Sequence, residues 1–128
     1  MSEKILIVDD EPEIADLVSL YLQNENFTVY KFYSAIEALN CIGHEKLDMA
    51  ILDVMMPEMN GLEASMAIRE MGMDYTDNIP IIAMTANAFT EDVKKCFEAK
   101  MSDHISKPID IDKVTNAIYR LVHKSDGI

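Results

Sequence analysis

Short apolar runs alternate along the chain with longer stretches whose apolar positions recur every three to four residues. A parallel sheet covered on both faces calls for near-continuous apolar strands, and helices packed on it call for a one-sided stripe. The runs predict strands over residues 5–8, 28–32, 49–52, 81–84 and 104–106. A helix opening at Pro12, a residue suited to the first helical turn, puts Ile14, Leu17, Val18, Tyr21 and Leu22 on one face and stops by 24–26. Ser34-Ala-Ile-Glu37 reads as a capping box, followed by a stripe of Ala35, Ala38, Leu39 and Ile42 that stops at Gly43. A third helix is expected over 62–71, and a fourth from Thr90, its N-cap, carrying Val93, Phe97 and Met101. The last starts near Asp112 and repeats Val114, Ala117, Ile118, Leu121 and Val122 at helical spacing. One domain over 1–124 with a tail at 125–128 is the expected organisation.

Strict alternation of strand and helix with right-handed crossovers predicts an α/β fold. It is a doubly wound, flavodoxin-like (βα)5 sandwich, with five parallel strands in the order 2-1-3-4-5 and helices on both faces.

Composition narrows the function. The 128 residues suffice for one core and not for two, and 49% hydrophobic with 27% charged residues is an ordinary globular balance. Twenty-three acids against 11 Lys and Arg leave a net charge of −12, which repels nucleic acid phosphates and anionic membranes. Direct DNA binding is not expected. The apolar run Ile5-Leu6-Ile7-Val8 is too short for a signal peptide or a membrane helix, so a soluble, cytoplasmic protein is expected. Cys41 and Cys96 form no CxxC pair and are expected to be buried free thiols. The 10 Met residues are spread over all element types and read as core filling.

In a doubly wound sheet the ligand site lies beyond the carboxyl ends of the strands, where the strand order reverses. The residues there are Asp9 and Asp10 after the first strand, Asp53 after the third, Thr85 after the fourth, and Lys107 with Pro108 after the fifth. Three carboxylates gathered from neighbouring strand ends repel one another unless a cation joins them. Oxygen ligands with no His or Cys favour a hard ion, and Mg²⁺, which keeps waters for a phosphate partner, suits them better than Ca²⁺ or zinc. Lys107 and the Thr85 hydroxyl add groups for oxyanions, completing a phosphoryl-transfer set in which a carboxylate, here Asp53, acts as nucleophile. Taken singly, Asp9 and Asp10 could cap the first helix and Asp53 could be a turn residue ahead of Pro57. Their joint placement at strand ends favours the site.

Four segments carry a family resemblance: Ile5-Leu-Ile-Val-Asp-Asp-Glu-Pro12, Ile51-Leu-Asp-Val-Met-Met-Pro57 with Gly61, Met84-Thr-Ala86, and Ser106-Lys-Pro108. The chain resembles the receiver domains of response regulators over almost its whole length. That resemblance implies phosphoryl transfer to Asp53 from a phosphohistidine of a histidine kinase or phosphotransfer protein. It implies Mg²⁺ on Asp10, Asp53 and the Met55 backbone carbonyl, with Asp9 helping partly through water. Lys107 would contact the phosphoryl group, with a cis bond to Pro108. Thr85 would move onto a phosphoryl oxygen as the side chain at position 104 turns inward, remodelling the surface of the fourth helix, fifth strand and fifth helix for an effector or output domain. The implied assembly is a monomer or a phosphorylation-dependent dimer. His104 stands where Tyr or Phe is commonest, and resembles receivers attached to hybrid kinases. Met55 and Asn87 occupy positions that tune the aspartyl phosphate lifetime in the family. Residues 1–40 resemble receivers of winged-helix regulators, whereas Ile82-Ala-Met-Thr-Ala-Asn-Ala-Phe and Met101-Ser-Asp-His-Ile-Ser-Lys-Pro-Ile-Asp110 resemble hybrid-kinase receivers. His44, near a helix end, and His123, near the chain terminus, are expected to face solvent or complement a helix dipole.

Three rival functions are weaker. A haloacid dehalogenase-type hydrolase wants a second Asp two residues after its nucleophile, where this chain has Met55. A flavodoxin-like FMN site wants a Ser/Thr/Gly-rich phosphate loop after the first strand, where Asp9-Asp10-Glu11 would repel phosphate. A degenerate receiver acting only as an interaction module would lack an acid, the Thr or the Lys, and all are present.

Overall fold

The computed structural model describes residues 3–86 and 90–122. Five strands, β1 (Lys4–Val8), β2 (Thr28–Phe32), β3 (Met49–Asp53), β4 (Ile81–Thr85) and β5 (Asp103–Ser106), form one parallel sheet in the order β2-β1-β3-β4-β5. The helices between and after them are α1 (Pro12–Asn24), α2 (Ala35–Ile42), α3 (Gly61–Arg69), α4 (Thr90–Glu98) and α5 (Ile111–Val122). The expected topology is therefore observed.

Side-chain alternation divides the interior strands between two cores. Ile5, Ile7, Ile51, Ile82 and Met84 pack with Val18 and Leu22 of α1 and with Val114 and Ile118 of α5. Leu6, Val8, Leu52 and Ala83 face the other way, against Ala38 and Ile42 of α2, Ala64 and Ile68 of α3, and Cys96 of α4. Buried on both faces, β3 and β4 have no polar residue before their last positions, Asp53 and Thr85. Each is one residue longer than the apolar run alone indicated, because the ladder continues through Asp53 opposite Met84 and Thr85 opposite Ser106.

Several local expectations are corrected. Ser34 is the N-cap of α2 in extended backbone, but its side chain makes no capping hydrogen bond. The capping box is at α3 instead, where Asn60 Oδ1 accepts from Glu63 N at 2.8 Å and Glu63 Oε1 accepts from Asn60 N at 3.0 Å. That cap starts α3 at Gly61, and the helix ends at Arg69 rather than 71. In α1 the inner face is Ala15, Val18, Ser19 and Leu22, with Leu17 and Tyr21 at its exposed flanks. In α4, Cys96 is buried and Phe97 half-exposed. The chain reverses at Lys100 (φ +65°), so Met101 enters the core from beyond the helix. Of the two free thiols, Cys96 is buried but Cys41 is partly exposed at the end of α2. His44 is exposed, its Nδ1 2.8 Å from Asn40 O. The Thr90 cap, Asn87, His123 and the expected tail lie outside the described residues and side chains.

Candidate functional site

At the carboxyl ends of β1 and β3 the backbone delivers Asp9, Asp10 and Asp53 to one place. Their carboxylates each offer an oxygen, and these atoms lie within 4.8 Å of one another. Asp9 and Asp53 are buried and Asp10 partly so. The position of Asp9 is fixed from both sides: its N–H donates to Phe32 O of β2 at 3.2 Å, and its Oδ1 accepts from Glu11 N at 2.9 Å. Asp53 is held by the β3–β4 ladder, which continues as Val54 N donates to Met84 O at 3.0 Å. Its Oδ1 accepts from Met55 N at 3.3 Å. The Met55 side chain points outward and is exposed.

Gly61 allows the first turn of α3 to press on this loop. A Cβ there would sit 2.4 Å from the Asp53 carbonyl oxygen and 3.0 Å from Val54 Cα, so no side chain fits. Gly61 N donates to Val54 O at 3.1 Å, closing the contact.

Lys107 reaches the carboxylates from the β5–α5 loop. Its N–H donates to Thr85 O at 2.7 Å, and the Lys107-Pro108 bond is cis. The ammonium lies 3.2 Å from each of Asp9 Oδ2, Asp53 Oδ1 and Glu11 Oε1. Thr85 is buried at the end of β4 and lines a cavity of about 90 Å³ with Met55, Leu62, Ala86, Lys95 and Cys96.

The electrostatics follow from crowding. Burial pushes the Asp53 carboxyl up, Asp9 pushes it further, and Lys107 only partly offsets them, leaving it near a pKa of about 7. Burial lowers Lys107, but Asp53 and Asp9 together outweigh it and hold the ammonium above its ordinary value. Two buried oxygens, Asp9 Oδ2 and Asp53 Oδ2, accept no hydrogen bond from the described residues. Carboxylate oxygens short of hydrogen-bond donors, gathered from Asp9 and Asp53 with Asp10 beside them, are the donor set a hard divalent cation satisfies, so the residues fit Mg²⁺.

His104 is away from this cluster. Partly exposed on β5, it lines a separate cleft with Lys113, Asn116 and Arg120 of α5. Its Nδ1 has no hydrogen-bond partner among the described residues and lies 3.6 Å from Asp103 Oδ1, while Asp103 pairs with Arg120. The strand-end rule thus brings together Asp9, Asp10, Asp53 and Lys107, with Thr85 beside them. It missed Glu11 as a partner of Lys107; a third acid adjoining Asp9-Asp10 was the available signal.

A model of the response regulator receiver domain family matches residues 5–119. Regulatory protein VanR of Enterococcus faecium is 48% identical over 108 residues, which are 84% of this chain and 45% of that protein. Sensor histidine kinase RcsC of Salmonella typhimurium is 32% identical, over 90% of this chain and 12% of the kinase. The chain thus spans less than half the length of these relatives. Among solved structures, a CheY-like response regulator receiver domain protein from Methanospirillum hungatei superposes with a TM-score of 0.88 at 25% identity, over 98% of both chains. The receiver domain of a sensor histidine kinase from Pseudomonas aeruginosa, solved with a magnesium ion coordinated in its active site cleft, gives 0.85 at 26%, over 96% of this chain and 99% of that one. With its fold, its acidic cluster and these likenesses in agreement, this chain belongs to the response regulator receiver domain family of two-component and phosphorelay signalling.

Proposed function

We propose that Asp53 is the phosphoacceptor of this receiver domain and that its phosphorylation requires Mg²⁺. The observation that carries this is Asp53 itself, which belongs to the cluster formed with Asp9 and Asp10 and has a buried oxygen, Oδ2, that accepts no hydrogen bond from the described residues. Asp10, Asp53 and the Met55 carbonyl would hold Mg²⁺, with Asp9 acting partly through water. The bound ion would neutralise charge on the transferring phosphoryl group. A magnesium ion in the cleft of the Pseudomonas aeruginosa relative supports that choice.

In the transfer, an Asp53 oxygen attacks the phosphorus of a phosphohistidine. The P–O bond forms as the P–N bond breaks, and the electron pair leaves on the imidazole nitrogen. Lys107 and Thr85 stabilise the phosphoryl oxygens, and His104 and the α4-β5-α5 surface respond, biasing a two-state equilibrium. The domain is a signalling phosphoacceptor that assists its own phosphorylation and dephosphorylation, not an enzyme acting on a separate substrate. Its partners are a histidine kinase or phosphotransfer protein and an effector or output domain. Among the described residues no helix is long and apolar enough to cross a membrane.

The test is intact mass after incubation with acetyl phosphate. One phosphoryl adduct is expected with Mg²⁺, none in EDTA and none in Asp53→Asn. Equal labelling of Asp53→Asn would refute the reading.

A further inference from the structure

Lys107 faces three carboxylates at the same distance, 3.2 Å, yet they are not equivalent. Asp9 and Asp53 are ion-pair partners with side chains 0% and 3% exposed, while the Glu11 side chain is 55% exposed. Glu11 Oε1 accepts a hydrogen bond from the Lys107 ammonium, which the two buried carboxylates also draw on. One of the donors that a phosphoryl group on Asp53 would call upon is therefore engaged by a surface carboxylate. Glu11 is placed for this by its backbone, since its N–H is tied to Asp9 Oδ1 and its own residue is the N-cap of α1. From there its side chain spans to a residue 96 positions later in the chain.

We propose that Glu11 is a positioning residue for phosphoryl transfer: its carboxylate holds the Lys107 ammonium in the place of a phosphoryl oxygen and is displaced when Asp53 is phosphorylated. The proposal rests on the reading of Asp53 as phosphoacceptor. A lysine ammonium has three N–H donors and no more, so a new oxygen partner must displace or share an existing one. Asp9 cannot withdraw without leaving a buried charge unpaired, which is costly. Glu11 can, because its carboxylate passes into water. An ion pair with one partner half in solvent is weak, so the competition amounts to a two- to five-fold effect. A phosphoryl group, with more charge and three oxygens, wins it. Glu11 thereby occupies one Lys107 donor before transfer and sets a small barrier to occupancy.

Glu11→Gln and Glu11→Ala test this against Glu13→Gln, which removes the same charge from an exposed residue in the first turn of α1. The readouts are the rate constant of labelling by acetyl phosphate, followed by intact mass, and the affinity for beryllofluoride, both at saturating Mg²⁺. Both Glu11 variants are expected to gain two- to five-fold in each, with Glu13→Gln unchanged; circular dichroism verifies that all three are folded. No gain in the Glu11 variants, or an equal gain in Glu13→Gln, overturns the proposal while leaving Asp53 as phosphoacceptor. Absence of any adduct on the unsubstituted protein overturns both.

Discussion

Asp53 is a buried carboxylate beside a second buried carboxylate, Asp9, and its acid–base behaviour in metal-free protein follows. Its pKa is raised to about 7 from the ordinary carboxylate value, by burial first and by Asp9 second. In the unfolded chain the group ionises near pH 4. A folded-state pKa above the unfolded one makes folding favour the protonated form. The penalty is absent below pH 4, grows as the pH rises from about 4 to 7, and is constant above. Asp53→Asn keeps the shape and removes the charge. In EDTA, urea denaturation at pH 7.5 is expected to show Asp53→Asn more stable by about 1–3 kcal/mol, with the difference shrinking toward pH 4. Equal stability at both pH values would contradict the account. On the proposed reading Mg²⁺ needs the ionised carboxylate, so its affinity is expected to climb with pH up to about 7 and to level off above.

Among the elements, α3 touches the site loop at one end and the turn after α4 at the other. Gly61 lets its first turn reach the Asp53 carbonyl. Gly61→Ala would improve intrinsic helix propensity by up to about 1 kcal/mol but forces the loop to shift, at about 1–3 kcal/mol. Net destabilisation in urea, with slower labelling of Asp53, is expected. At the other end, Arg69 donates to Thr76 O, to Ile79 O at 2.6 Å and twice to Lys100 O, joining the α3–β4 loop to the turn after α4. Buried Ser65 Oγ adds a bond to Ala99 O at 2.7 Å. Arg69→Ala is expected to cost about 2–4 kcal/mol in denaturation, and Arg69→Lys to recover little, because a single ammonium cannot span carbonyls on two segments. Full recovery by Lys would sink that view. These roles were hidden in the sequence: Arg69 looks like any helix-end cation, and the clash at Gly61 depends on a neighbouring loop. Ser34 and Asn60 both head capping-box patterns, yet only Asn60 closes one.

For the molecule as a whole, strand order and site position were legible because they follow from one pattern. Alternating buried runs and amphipathic helices leave few topologies, and the topology puts strand ends 1 and 3 side by side. Asp9, Asp10, Asp53 and Lys107 could therefore be grouped before any coordinate was known. Helix rotation was less legible: Leu17, Tyr21 and Phe97 are apolar enough for a core, but the layer spacing admits Ala15, Ser19 and Cys96 instead. The Glu11–Lys107 pair escaped because it joins residues 96 apart through side chains that sequence spacing does not relate. The central claim concerns one atom of one side chain. Its most direct test is to phosphorylate the protein with acetyl phosphate and Mg²⁺, trap the acyl phosphate with hydroxylamine, and locate the product by peptide mass spectrometry. The account expects the hydroxamate at Asp53 alone; a product at Asp9 or Asp10, or a phosphoryl group stable to hydroxylamine, would contradict it.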